Sequence, residues 1–163
     1  MSLRKLPPTR VLSKAWQELG RDDVVKIEAF PVQDGEVLRL VIESQNAECR
    51  QGVWLTTDQG IVIDGQQYQT AEIWATDGES AIHFLCNTAD GVLHLYNIWE
   101  RGGAADSQAW TSGMLVEDIP TGRRYRCNDI GEESNFDRLA FRIERIAVEV
   151  AKGEKSRKQS RRR

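Results

Sequence analysis

From Asp23 onward the apolar positions recur at every second residue, in short runs separated by turn residues. Such alternation puts the apolar side chains on one face of a half-buried strand. Asp-Gly, which suits the left-handed residues of a tight hairpin, falls at 34–35, 64–65, 77–78 and 90–91, and "TDQG" and "IPTG" mark two more turns. The strands so bounded are 24–32, 36–44, 51–57, 60–64, 67–75, 80–87, 91–99, 112–118, 122–128 and 137–148. With no helices between them, they predict an all-β antiparallel sandwich or barrel. The long loops joining the later strands favour a jelly-roll-like β-sandwich. No repeat of roughly 20–50 residues suggests a propeller or solenoid.

Before Asp23 the period is helical. In "TRVLSKAWQELG" Thr9 stands as the cap, Val11, Leu12, Ala15, Trp16 and Leu19 share a face, and Gly20 ends the pattern. One N-terminal helix over 9–20 is therefore predicted, packed on the body through Trp16, with a flexible stretch at 1–8 before it. The folded domain is expected to span 9–151.

One register follows from the sequence. In "SGMLVEDIPTGRRYRCND", Pro120 and Gly122 suit a type I turn, and pairing Ile119 with Gly122 sets Val116 against Tyr125 and Met114 against Cys127. Glu117 then faces Arg124, and Leu115 faces Arg126, which makes the Arg run a solvated face. The open ends of this hairpin bring two long loops together. Residues 100–111 hold Trp110 among small and polar neighbours, and 128–137 hold four acids, two Asn, a Ser and a Gly. Loops of this length in a compact domain tend to bind something or move.

Two chemistries fit that end. Calcium takes six to eight oxygen ligands on irregular loops, and Asp129, Glu132, Glu133 and Asp137 are the candidate metal ligands. Calcium is the one cofactor the pattern suggests. A carbohydrate or other polar ligand instead takes a ring to stack on and amide and carboxylate partners, here Trp110, Asn128, Asp129, Glu132 and Asn135. The plainer alternative is a wide turn that satisfies its own amides. The stretch "NDIGEESNFDRLAFRIE" resembles the closing strand of some bacterial jelly-roll modules, in which an acidic turn precedes a Phe-Asn/Asp-Asp-Leu/Val strand. Where those modules often carry a second acid, this chain has Arg138.

Catalytic patterns are sparse. GxSxG, HExxH, GxxxxGK[ST] and GxGxxG are all missing. His83 and His94 alternate onto one face of an expected 80–99 hairpin with Tyr96, so a small hydrolase using that face, or the carboxylates of Glu132 and Asp137, is the enzymatic alternative. Trp54, Trp74 and Trp99 read as core or rim, and Asn97 falls on the apolar face, where its amide needs partners.

Composition adds a compartment and a charge asymmetry. The three cysteines, Cys49, Cys86 and Cys127, fit no disulfide or zinc spacing and read as buried thiols. No apolar run approaches a membrane span and no apolar stretch follows the first basic residues, so a cytoplasmic location is expected. The 163-residue chain carries a net −3, yet 152–163 hold seven Lys or Arg against one Glu, a net of +6, leaving −9 on the rest. The tail is expected to be disordered and to suit an anionic partner. The acidic body suits a basic partner, so an interaction or inhibitor protein is a further alternative. The reading favoured is a non-catalytic binding module with its ligand at the 100–111 and 128–137 loops.

Overall fold

Asp64 and Gly65 both take positive φ, 51° and 77°, and Ile63 pairs with Gln66 across them, as a two-residue type I′ hairpin requires. The computed structural model describes residues 6–132 and 134–146. Its elements are β1 (Val11–Leu12), α1 (Lys14–Glu18), β2 (Val24–Pro31), β3 (Glu36–Gln45), β4 (Gln51–Ile63), β5 (Gln66–Trp74), β6 (Ser80–Cys86), β7 (Val92–Arg101), β8 (Ala104–Asp106), β9 (Gly113–Ile119), β10 (Gly122–Asn128) and β11 (Leu139–Arg145). The basic tail at 152–163 lies outside the described residues. Among those described, no helix is long and apolar enough to cross a membrane.

The fold is all-β and antiparallel, but the sheet closes on itself. Pairing runs β2–β9–β10–β11–β3–β6–β4–β7, and β7 returns to β2 from Glu28↔Leu95 to Pro31↔Val92, an eight-stranded barrel. The jelly-roll-like sandwich expected from the loops is thus replaced by a barrel. The β2–β7 seam removes the open edges that two separate sheets would keep. β5 lies against β4 outside the ring, as β1 does against β2 and β8 against β7.

Two expected strands, 51–57 and 60–64, are one strand, β4, with its register broken between Thr56 and Ile61. Its first half pairs with β7 and its second half with β6. The expected 80–99 hairpin therefore does not form. Asp58 accepts hydrogen bonds from Ala89 N, Asp90 N and Thr88 Oγ1, which ties the corner between β6 and β7 to the irregular part of β4.

The helix is shorter than 9–20. Val11 and Leu12 pair instead with Ile27 and Val25 on β2, and Ser13, not Thr9, caps α1 by accepting from Trp16 N. Trp16 does pack on the body, with Val24 and with the Phe136 ring at 5.2 Å. Ahead of β1, His94 Nε2 donates to Pro7 O at 2.6 Å. The β9–β10 hairpin has the expected register at every position, from Ile119↔Gly122 to Met114↔Cys127. Arg124 faces Glu117 but forms its ion pair with Glu43 at 2.8 Å.

Candidate functional site

At one end of the barrel β3, β5, β7 and β10 stop and β4, β9 and β11 begin. The two loops singled out in the sequence meet here, at Thr111. Its carbonyl accepts from Trp16 Nε1 and from Asn128 Nδ2, both at 2.9 Å, and its hydroxyl accepts from Gly131 N at 2.8 Å. Asn128 is fully buried, also donates to Gly131 O at 2.9 Å, and receives Asn97 Nδ2 on its own carbonyl at 3.0 Å. Asn128 therefore holds the two loops together, and Asn97 braces Asn128.

Trp110 stands at the corner of a β-turn closed by Ser112 N donating to Ala109 O at 3.1 Å. The second support of this turn, Lys26 on β2, went unremarked in the sequence. Its amine donates to Ala109 O, to Ser112 O at 3.3 Å and to Ser112 Oγ at 2.9 Å. Its carbonyl accepts from Gln108 Nε2 at 3.3 Å, and Gln108 holds a φ of +58°. Burial pushes the Lys26 amine down to about 8. A Lys–Ser contact with a depressed amine suggests a nucleophile and its base. Ser112, however, is buried and already donates its hydroxyl to Ala109 O at 2.9 Å. The arrangement holds a turn. The indole it presents is 61% exposed.

The acids of the other loop divide into two groups. Asp129 is engaged, accepting from Gln51 Nε2 at 3.1 Å and Ile130 N at 2.6 Å, with Arg138 at 3.6 Å. Asp137 accepts from Asn46 Nδ2 at 3.0 Å, and Ser134 Oγ accepts from Phe136 N at 2.9 Å. Much of the loop is thus a self-satisfied turn, with Phe136 driven under Trp16. Glu132 and Asn135 are exposed; Arg126 donates to the Asn135 carbonyl at 3.4 Å, and neither residue's own side chain makes a hydrogen bond among the described residues. Glu133 lies outside those residues. Among the described residues no three His, Cys, Asp or Glu gather as a metal cage, so the calcium set of Asp129, Glu132, Glu133 and Asp137 gains no support.

Beside this end an open groove of about 850 Å3 runs between loops 46–50 and 75–79, past Gln45, Glu48, Arg50, Thr76 and Asp77. The Arg50 guanidinium lies 4.5 Å from the centre of the Trp74 ring. Trp54 stacks on Tyr96 at 4.5 Å, while Trp99 is core. Gln51 Oε1, Trp99 Nε1 and Asn128 Oδ1 are the buried side-chain atoms without a hydrogen-bond partner among the described residues, and all three lie within two residues of a strand end at this end of the barrel.

The structure separates the other candidates for catalysis. His83 is exposed opposite Arg39 on β3, whereas His94 is buried between Thr56 on β4 and Ala29 on β2, so the two share no site. Cys86 and Cys127 are buried free thiols, and burial pushes Cys86 up to about 12 and Cys127 upward too, so neither is an activated nucleophile. Cys49, expected in the core, is partly exposed on the groove. Inside the barrel, the fully buried Glu28 accepts from Arg10 at 3.0 Å, Arg123 at 3.3 Å and Tyr125 Oη at 2.9 Å. This cluster escaped the sequence reading, in which the Arg run was wholly a solvated face.

No protein-family model matches the chain, and no curated protein matches it. Among solved structures, a Chromobacterium violaceum lectin, CV2L, in complex with alpha-methyl-fucoside is similar with a TM-score of 0.42 at 11% identity, over 71% of this chain and 92% of that one. A likeness of that size carries no argument about this chain's ligand.

Proposed function

We propose that the protein is a non-catalytic binding module that holds a polar ligand, best a carbohydrate, against Trp110. The observation that carries the reading is the bond from Gly131 N to Thr111 Oγ1 at 2.8 Å. Trp110 and Glu132 are each one residue from it. An exposed indole held on a braced turn is thus brought to the same end of the barrel as the exposed Glu132, whose carboxylate makes no hydrogen bond among the described residues, and Asn135 follows on the same loop. A ring face with amide and carboxylate groups nearby suits a sugar, whose C–H face stacks while its hydroxyls bond. Of the five ligand residues expected from sequence, the proposal assigns ligand contact to Trp110, Glu132 and Asn135. Asn128 and Asp129 act behind them.

The test is a glycan screen of the purified protein, followed by titration of any hit. Trp110→Ala is expected to weaken binding at least tenfold, about 1.4 kcal/mol, and Glu132→Gln by a few-fold, with no turnover of the hit by either protein. Turnover that disappears in Glu132→Gln would make the protein a glycosidase. Binding that survives Trp110→Ala would remove this end as the site. A charge-driven protein complex would instead weaken steeply between low and moderate salt.

A further inference from the structure

We infer that Lys26 is the positioning residue of the proposed binding face: its ammonium group fixes the Trp110 turn, and a neutral side chain at 26 leaves that turn loose. The functional consequence rests on the reading of Trp110 as a ligand contact, but the structural claim does not.

The argument starts from what surrounds the amine. Among the described residues every acceptor of Lys26 Nζ belongs to the turn, namely Ala109 O, Ser112 O and Ser112 Oγ. No salt bridge involves Lys26 among the described residues, and burial is the sole cause of its lowered pKa. A partly buried cation facing only carbonyls and a hydroxyl lacks the carboxylate that normally compensates desolvation. Charge-assisted bonds to turn carbonyls are what it gains instead. The same residue holds the turn a second time, because its own carbonyl accepts from Gln108, whose positive φ needs support from its surroundings. On the far side, Trp16 and Asn128 hold Thr111. Trp110 thus projects from a segment clamped from β2 on one side and from α1 and β10 on the other. An aromatic contact fixed in this way loses little freedom when a ligand arrives.

The test uses the full chain and needs no ligand. Amide hydrogen exchange and indole resonances are compared in the wild type, Lys26→Met, Lys26→Arg and Ser112→Ala. In Lys26→Met, residues 108–112 are expected to exchange at least tenfold faster and the Trp110 indole signal to broaden, while amides of β10 and β11 keep their rates. Lys26→Arg, which keeps the charge, is expected to restore most of the protection. Ser112→Ala, which removes one acceptor, is expected to loosen the same residues to a smaller degree and remains informative if Lys26→Met does not fold. Unchanged protection at 108–112 in Lys26→Met and Ser112→Ala overturns the proposal. So does an equal loss of protection across β10 and β11. If the exchange result holds and no sugar binds, the latch stands and the carbohydrate reading falls.

Discussion

Two charged residues of β2, the buried Glu28 and the half-buried Lys26, are matched in opposite ways. Glu28 has no exposed surface, yet it receives Arg10 on both oxygens, Arg123 and the Tyr125 hydroxyl, with Ala29 N as a further donor. Lys26, two residues earlier on the same strand, carries its charge among acceptors that are all neutral in the described residues. The first arrangement meets the carboxylate with cations and hydrogen bonds from β10 and from the segment before β1, so it holds the architecture together. The second leaves desolvation partly uncompensated and fixes an exposed loop. Charge fully matched inside a fold marks structure. Charge matched only by a loop's carbonyls marks a place where position matters more than stability.

Breaking the matched cluster is expected to have the largest effect. Glu28→Gln removes the anion and leaves Arg123 and Arg10 facing a neutral amide, and loss of one partner of a buried ion pair costs about 3–5 kcal/mol. Urea unfolding should show this as a large drop in midpoint, and a change under about 1 kcal/mol would mean that the guanidinium groups find solvent instead. Tyr125→Phe removes a single hydrogen bond to the carboxylate, worth about 1.5–3 kcal/mol. Its loss should be smaller than that of Glu28→Gln in the same assay.

The contrast also explains what the sequence disclosed. The β9–β10 register was readable because Pro120 and Gly122 set the turn and the alternation on both sides agreed with it, so Trp110 could be placed near Asn128 and the acids. Glu28 and Lys26 were not readable. In "VVKIEAF" both alternate with apolar residues and look equally outward, but β2 changes partners between them, pairing with β9 at Val24 and Val25 and with β7 from Glu28. The phase shifts there, and Glu28 turns inward with Phe30. Barrel closure was hidden for the same reason, since the β2–β7 seam joins strands far apart in sequence. The helix is shorter than its spacing predicts because Val11 and Leu12, at helical spacing with Trp16, suit the edge of β2 equally well.

The unmatched charge gives the next effect, with a defined sign. The ordinary value of the Lys26 amine is 10.5 and the folded value about 8. Below pH 8 the amine is charged in both states, and the folded protein bears the full desolvation cost. Between pH 8 and 10.5 the folded amine is neutral while the unfolded one stays charged, so rising pH relieves that cost and adds stability. Unfolding midpoints of wild type and Lys26→Met, compared at pH 7 and pH 9.5, isolate this group from others that titrate. The wild type should gain on the variant at the higher pH. A constant difference would place the amine in solvent.

The smallest effect on stability belongs to the residue with the largest expected effect on binding. Trp110 is 61% exposed, and the bonds that hold its turn run through Ala109, Thr111 and Ser112, not through its ring. Trp110→Ala should therefore shift stability by no more than about 0.5 kcal/mol, the range of an ordinary surface substitution. A thermal melt of the two proteins measures it. A shift within that range is the result expected if the exposed indole serves the proposed ligand and not the fold. A loss well beyond that range would mean that the ring covers the 107–112 turn. Trp110 would then belong with Glu28 among the groups that build the fold, and the contrast between the two regions would collapse.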